Sequence, residues 1–110
     1  MSYPVTAEGG YDVVRLSGDV DLSRSPEARR TILACLAQGH HTLVDLSTVS
    51  YIDSSGVATL VEGFQTARKR ALRFGLIGVS AAALRVLELA RLDKVFPIHA
   101  SLDARLAADG

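Results

Sequence analysis

The sequence predicts an α/β fold: a mixed, mostly parallel β-sheet with helices and an opening β-hairpin. Three observations lead there. Gly9-Gly10 separates two short β-friendly runs, which is a hairpin signal. Beyond Gly18, apolar runs of strand length alternate with stretches that repeat apolar residues at helical spacing. That alternation is the pattern of right-handed βαβ crossovers in a parallel sheet. With 110 residues, 48% of them hydrophobic, the chain has material for one core and is read as a single domain over 1–110.

The elements follow in order. Strands are expected near 3–8 and 11–17, antiparallel to each other. Gly18-Asp19-Val20-Asp21-Leu22-Ser23 reads as a loop rich in carboxylates. Ser25 is the expected N-cap of a helix over 26–38, with Pro26 at its first position and Glu27 in its first turn. Ile32, Leu33 and Leu36 recur there at helical spacing, and Gly39 is a stop. Residues 42–46 form a short strand. A second β-like patch, Val49-Ser50-Tyr51-Ile52, leads into Asp53-Ser54-Ser55-Gly56. Val57, Leu60, Val61 and Phe64 then mark one face of a helix running to about Arg70. Leu72 to Gly78 reads as a strand. Ser80 caps a helix at 81–91 with Leu84 and Leu87 inward. Lys94 to Ile98 is a last short strand ended by Pro97, and Ser101 caps a C-terminal helix in which Leu102 and Leu106 lie one turn apart.

Several function classes drop out on composition. Twelve Lys+Arg balance twelve Asp+Glu, which argues against a nucleic-acid binder relying on a basic surface and against a polybasic membrane anchor. No run of about 18 apolar residues occurs, so no transmembrane segment is expected. Met1-Ser2-Tyr3-Pro4 does not read as a signal peptide, and a reduced, cytoplasmic protein is the plain expectation. The single cysteine, Cys35, excludes an internal disulfide framework and a cysteine-based zinc site; it is expected as a small buried core residue. His40-His41 suits chelation poorly, because neighbours on an extended segment point to opposite faces. These two and His99 are read as solvated loop residues. Arg68-Lys69-Arg70 and Arg73 read as a solvated helix end where cations suit the dipole. Gly75-Leu76-Ile77-Gly78 lies inside a strand and lacks the Lys-Ser/Thr of a nucleotide-binding loop. No Gly-x-Ser-x-Gly elbow surrounds Ser55, so a serine hydrolase is disfavoured. No metal and no cofactor is expected.

The informative stretch is Ile52-Asp53-Ser54-Ser55-Gly56-Val57, between a strand and an amphipathic helix. Asp53 can cap that helix, leaving the two serines in its first turn. There, unpaired backbone N–H groups and the positive dipole end tolerate a phosphate. A phosphoserine adds nearly two negative charges, and Gly56 is expected to leave the neighbouring surface bare for an approaching protein. The plainer alternative is a serine-rich helix start that only caps. Asp19 and Asp21 belong to the loop that a parallel sheet brings to the same edge. They suit either partner docking or simple turn capping.

Three blocks, in order, resemble the STAS domain of anti-sigma factor antagonists. Gly18-Asp19-Val20-Asp21 is similar to the family's loop before the first helix. Leu43-Val44-Asp45-Leu46-Ser47 with Tyr51-Ile52-Asp53-Ser54-Ser55-Gly56-Val57 is similar to its central strand and phosphorylation loop. Ile77-Gly78-Val79-Ser80, Val86-Leu87-Glu88-Leu89, Leu92 and Val95-Phe96 resemble its third-helix region and final strand. The resemblance implies a non-enzymatic partner switch. The unphosphorylated protein binds an anti-sigma factor serine kinase and frees a sigma factor; phosphorylation ends the complex, and a serine phosphatase of the PP2C type resets it. It implies Ser55 as acceptor, with Ser54 the alternative, and a partner-binding set of Asp19, Asp21, Asp53, Ser54, Ser55 and Gly56. Small STAS proteins also serve as non-catalytic subunits of bacterial lipid-transport ABC systems. An ABC transporter ATPase is therefore the alternative partner, although a hydroxyl at position 55 favours the switch.

Overall fold

The structure is a computed structural model that describes residues 3–110. Met1 and Ser2, which begin the stretch assessed above for a signal peptide, lie outside the described residues. The elements are β1 (Val5–Glu8), β2 (Tyr11–Val20), α1 (Ser25–Ala37), β3 (Thr42–Ile52), α2 (Ser54–Lys69), β4 (Phe74–Ile77), α3 (Ala81–Leu89), β5 (Ile98–His99) and α4 (Leu102–Asp109). They form one five-stranded sheet in the order β1-β2-β3-β4-β5. The β1–β2 pair is antiparallel, as the Gly9-Gly10 break predicts, and every later pairing is parallel. Both hairpin glycines have positive φ, 61° and 86°, the backbone that a two-residue primed turn demands.

Alternation along the strands splits the apolar side chains between two faces. Val14, Leu16 and Val20 of β2, Val44, Leu46, Val49 and Ile52 of β3, and Leu76 of β4 point to the larger core. Against them pack Ile32, Cys35 and Leu36 of α1, Val57, Leu60 and Ala67 of α2, and Ala83 and Leu87 of α3. Burial pushes the Cys35 thiol up to about 11, so it stays protonated and serves as packing. Tyr11, Val13, Leu43 and Ile77 face the other way and are covered by Leu102 and Leu106 of α4.

Several boundaries differ from the sequence reading, for reasons of strand pairing or local backbone bonding. β2 runs on through Val20, because Ser17 to Val20 find partners from Thr48 to Ile52 across two register shifts; Asp19 is therefore in a strand, not a loop. The two β-like patches at 42–46 and 49–52 are one strand for the same reason. Ser25 is not the N-cap of α1. Arg24 holds that position without a side-chain cap; the Asp21 carbonyl accepts from the Ser25 amide at 2.8 Å, and Ser25 lies buried in the first turn. Ser80 and Ser101 do cap α3 and α4, accepting from the amides of Ala83 and Ala104. The final strand is only Ile98–His99, since the chain before Pro97 is turned, the amides of Val95 and Phe96 both donating to the Leu92 carbonyl. His99 is thus a half-buried sheet residue rather than a solvated one.

The sheet end opposite Asp53 is pinned by a polar cluster that sequence alone did not show. The buried Arg105 of α4 donates from Nη1 to the Phe74 carbonyl (3.1 Å) and from Nε to Asp109 (3.0 Å). Its guanidinium lies 5.4 Å from the centre of the Tyr11 ring, and the Tyr11 hydroxyl donates to Asp109. His40 pairs with Asp12 at 2.7 Å, and Nδ1 of His41 accepts from the Arg73 amide. Arg105→Ala should cost about 1–3 kcal/mol, because it leaves the Phe74 carbonyl without its donor. Urea unfolding checks this: a midpoint equal to wild type would show that the clamp adds nothing.

Candidate partner-docking site

β2 and β3 are parallel, so both carry the chain to the same edge before turning into α1 and α2. Asp53 stands where β3 becomes α2, with extended backbone, and is the N-cap. Its Oδ1 accepts from the amides of Ser55 (2.9 Å) and Gly56 (3.2 Å) and from the Ser55 hydroxyl (2.5 Å). Its Oδ2 accepts from the amide of Leu22 on the β2–α1 loop at 3.2 Å. One carboxylate thus starts a helix and ties a second loop to it. The Ser55 hydroxyl, with those three amides, holds the Asp53 carboxyl below its ordinary value against the opposing effect of desolvation.

Asp21 organises the other loop. Its Oδ1 accepts from the Ser23 hydroxyl (2.7 Å), the Ser23 amide and the Arg24 amide, an Asx-type turn. The Ser23 hydroxyl is the main cause of its lowered carboxyl pKa, and the nearby Asp53 charge works against it. Asp19, opposite Tyr51 in the β2–β3 register, accepts from the Ser50 hydroxyl at 3.1 Å.

The two serines differ. Ser54 is exposed, whereas Ser55 is half-buried and turned to Asp53. Gly56 does not leave the surface bare as expected. It is buried, and a Cβ there would stand 2.6 Å from Cγ1 of Ile52 and 2.7 Å from the Val20 carbonyl. Its lack of a side chain lets α2 descend onto the ends of β2 and β3. The helix start is also less vacant for an anion than the sequence suggested, because Asp53 already holds the amides of Ser55 and Gly56.

Comparison with known proteins agrees with this architecture. The family model described as "Mlab, STAS domain" matches residues 5–102. The chain belongs to the STAS domain family. A crystal structure of an anti-sigma factor antagonist from Mycobacterium paratuberculosis is 30% identical, covers 97% of this chain and 92% of its own, and superposes with a TM-score of 0.87. The anti-sigma-B factor antagonist of Bacillus subtilis is 26% identical over 87 residues, 79% of this chain and 80% of the relative. The Bacillus cell fate determinant SpoIIAA, solved in its phosphorylated form, shares the fold, with a TM-score of 0.75 at 20% identity over 99% of this chain and 100% of that one.

Within this STAS domain, Asp21, Asp53, Ser54 and Ser55 come together at one sheet edge, with Asp19 one strand position before Val20. Gly56 lies beneath them. Two side chains at this edge escaped the sequence reading: Leu22, which keeps 75% of its surface exposed, and Tyr51, at 52%. The available signal for Leu22 was an apolar residue flanked by Asp21 and Ser23 in a polar stretch. No helix of the described residues is long and apolar enough to cross a membrane.

Two outcomes test this geometry. Asp53→Ala should lower the melting temperature by about 4–8 °C at neutral pH through the lost cap. A carboxyl held below its ordinary value of 3.8 stabilises the fold above that pH and ceases to as pH falls through the lowered value. The gap between wild type and variant should therefore begin to narrow below about pH 4 and close as the carboxyl takes up its proton; a pH-independent gap in thermal melts would assign it to something other than the carboxylate. Gly56→Ala should cost about 1–3 kcal/mol by overpacking, and an unchanged denaturation midpoint would contradict the inward orientation.

Proposed function

We propose that this STAS domain is a phosphorylation-controlled anti-sigma factor antagonist. Unphosphorylated, it binds an anti-sigma factor serine kinase through the Asp19, Asp21 and Asp53–Gly56 edge and releases the sigma factor. Ser55, or alternatively Ser54, accepts phosphate, and a PP2C-type serine phosphatase removes it. The protein works as one cytoplasmic domain without catalysis of its own. The observation that carries the reading is the pair of serine hydroxyls at the first turn of α2, at an edge shared with two loop carboxylates.

The local electrostatics support a switch rather than an enzyme. The Ser55 hydroxyl donates to an acid whose pKa is lowered, and such an acid is a poor general base. Phosphorylation of Ser55 removes that hydroxyl donor and sets a dianion against the Asp53 carboxylate. The two anions then compete for the same amides at the start of α2, a local re-sorting of the cap. Across an interface, a phosphate about 5 Å from a partner carboxylate costs roughly 3 kcal/mol per unit pair at an effective dielectric of about 20. A net loss of about 3–4 kcal/mol weakens binding several hundredfold to a thousandfold.

The matching family model, described as an Mlab STAS domain, favours one other reading: a non-catalytic subunit of a lipid-transport ABC system bound to its ATPase. Co-purification separates the two. The deciding experiment is incubation with ATP and the anti-sigma factor kinases of the source genome, followed by intact-mass measurement and site mapping. One phosphate on Ser55 is expected, absent from Ser55→Ala, which should bind the kinase persistently. Ser55→Asp should fold like wild type yet bind at least a hundredfold more weakly. Wild-type phosphorylation of Ser55→Ala would move the acceptor to Ser54, and equal affinity of the phosphorylated and bare proteins would remove the switch.

A further inference from the structure

Leu22 is a large apolar side chain left 75% exposed at the centre of the edge just described. Val5, Leu89 and Val95 are also exposed; Val5 is held in a paired strand and Leu89 in a helix, and what sets Leu22 apart is a charged setting on an equally ordered loop. Its backbone is fixed: the Leu22 amide is bound by Asp53 at 3.2 Å, and the turn that follows is closed by three hydrogen bonds to Asp21 Oδ1. A side chain on a fixed backbone loses less conformational entropy on docking than one on a mobile loop tip. Its surroundings are also charged. Asp21 precedes it, Asp53 holds its amide, and Asp19 lies at the end of β2, with Arg24 the cation two residues on. An apolar centre within a polar rim is the anatomy of an interface hot spot.

We propose that Leu22 is the apolar anchor of the docking surface, seated in an apolar pocket of the partner whose rim carries Arg or Lys on the side of Asp19 and Asp21, the partner carboxylate facing Ser55. The carboxylates select that rim: a basic one satisfies them at the interface, whereas an acidic one is repelled. This deepens the proposed function and rests on its kinase-docking reading. It also gives Asp53 a part in docking, since the carboxylate that meets the Ser55 hydroxyl is the one that holds the anchor's backbone.

The test is calorimetric binding of wild type, Leu22→Ala, Leu89→Ala and Ser55→Asp to the purified anti-sigma factor kinases of the source genome, at low and high salt. Leu22→Ala should weaken binding about 10- to 100-fold with a melting temperature equal to wild type, because the side chain packs little within its own fold. Leu89→Ala should bind like wild type. Wild-type affinity should fall as salt rises, the mark of a basic rim. Binding of Leu22→Ala within twofold of wild type overturns the anchor; if Ser55→Asp still loses affinity, the docking reading itself survives. Salt-independent wild-type affinity overturns the basic rim. A wild-type protein that binds none of these kinases, or only an ABC ATPase, overturns the anchor and the reading beneath it together.

Discussion

A single carboxylate holds the candidate docking edge together. Asp53 accepts two amides and a hydroxyl from the first turn of α2 with one oxygen and the Leu22 amide with the other. Helix starts leave backbone donors unpaired, and a loop crossing a sheet edge has the same need. Here one side chain meets both. The β2–α1 loop and the β3–α2 turn are therefore placed relative to each other by a bond and not merely by proximity. A half-buried carboxylate with four donors is a firm acceptor, and its lowered pKa follows from that arrangement.

The core dictates where this acid can stand. Gly56 lets α2 approach the Val20 carbonyl and Ile52 more closely than any Cβ allows, so the first turn of α2 is pressed to the strand ends and its two serines are carried to the rim. Packing and the proposed switch share that turn. A change that lifts α2 by a few tenths of an ångström also moves Ser54, Ser55 and the Asp53 cap. The opposite sheet end behaves differently: Arg105, Asp109 and Tyr11 form a largely buried clamp that fastens α4 over the smaller apolar face. One end of the sheet is thus closed by a partly buried ion pair, while the other presents hydroxyls, carboxylates and an exposed leucine.

Much of this was legible in one dimension. The Gly9-Gly10 turn, the alternation of strand and helix patterns, the Ser80 and Ser101 caps and the Asp53 cap all follow from local chemistry, and each stands where the sequence put it. The failures have backbone partners in common that composition does not reveal. Ser25 has the composition of a cap, yet the Asp21 carbonyl reaches its amide first. Asp19 has the composition of a loop, yet a neighbouring strand pairs with it. His99 is in sequence a lone polar residue near the C-terminus, yet it pairs with Ile77 in the sheet. For Asp19 and His99 the partner is distant in sequence, whereas for Ser25 it is a backbone carbonyl four residues back.

The sequence by itself determined the α/β class, the order of the elements, the STAS resemblance and the serine-bearing helix start, because periodicity, turn residues and capping chemistry act within a few residues. Tertiary structure alone decided that Asp53 reaches across to Leu22, that Ser55 is turned inward while Ser54 faces solvent, that Gly56 serves packing, and that Leu22 stands exposed among carboxylates. Those outcomes depend on where two loops meet in space, and β2–β3 register with the descent of α2 fixes that meeting point.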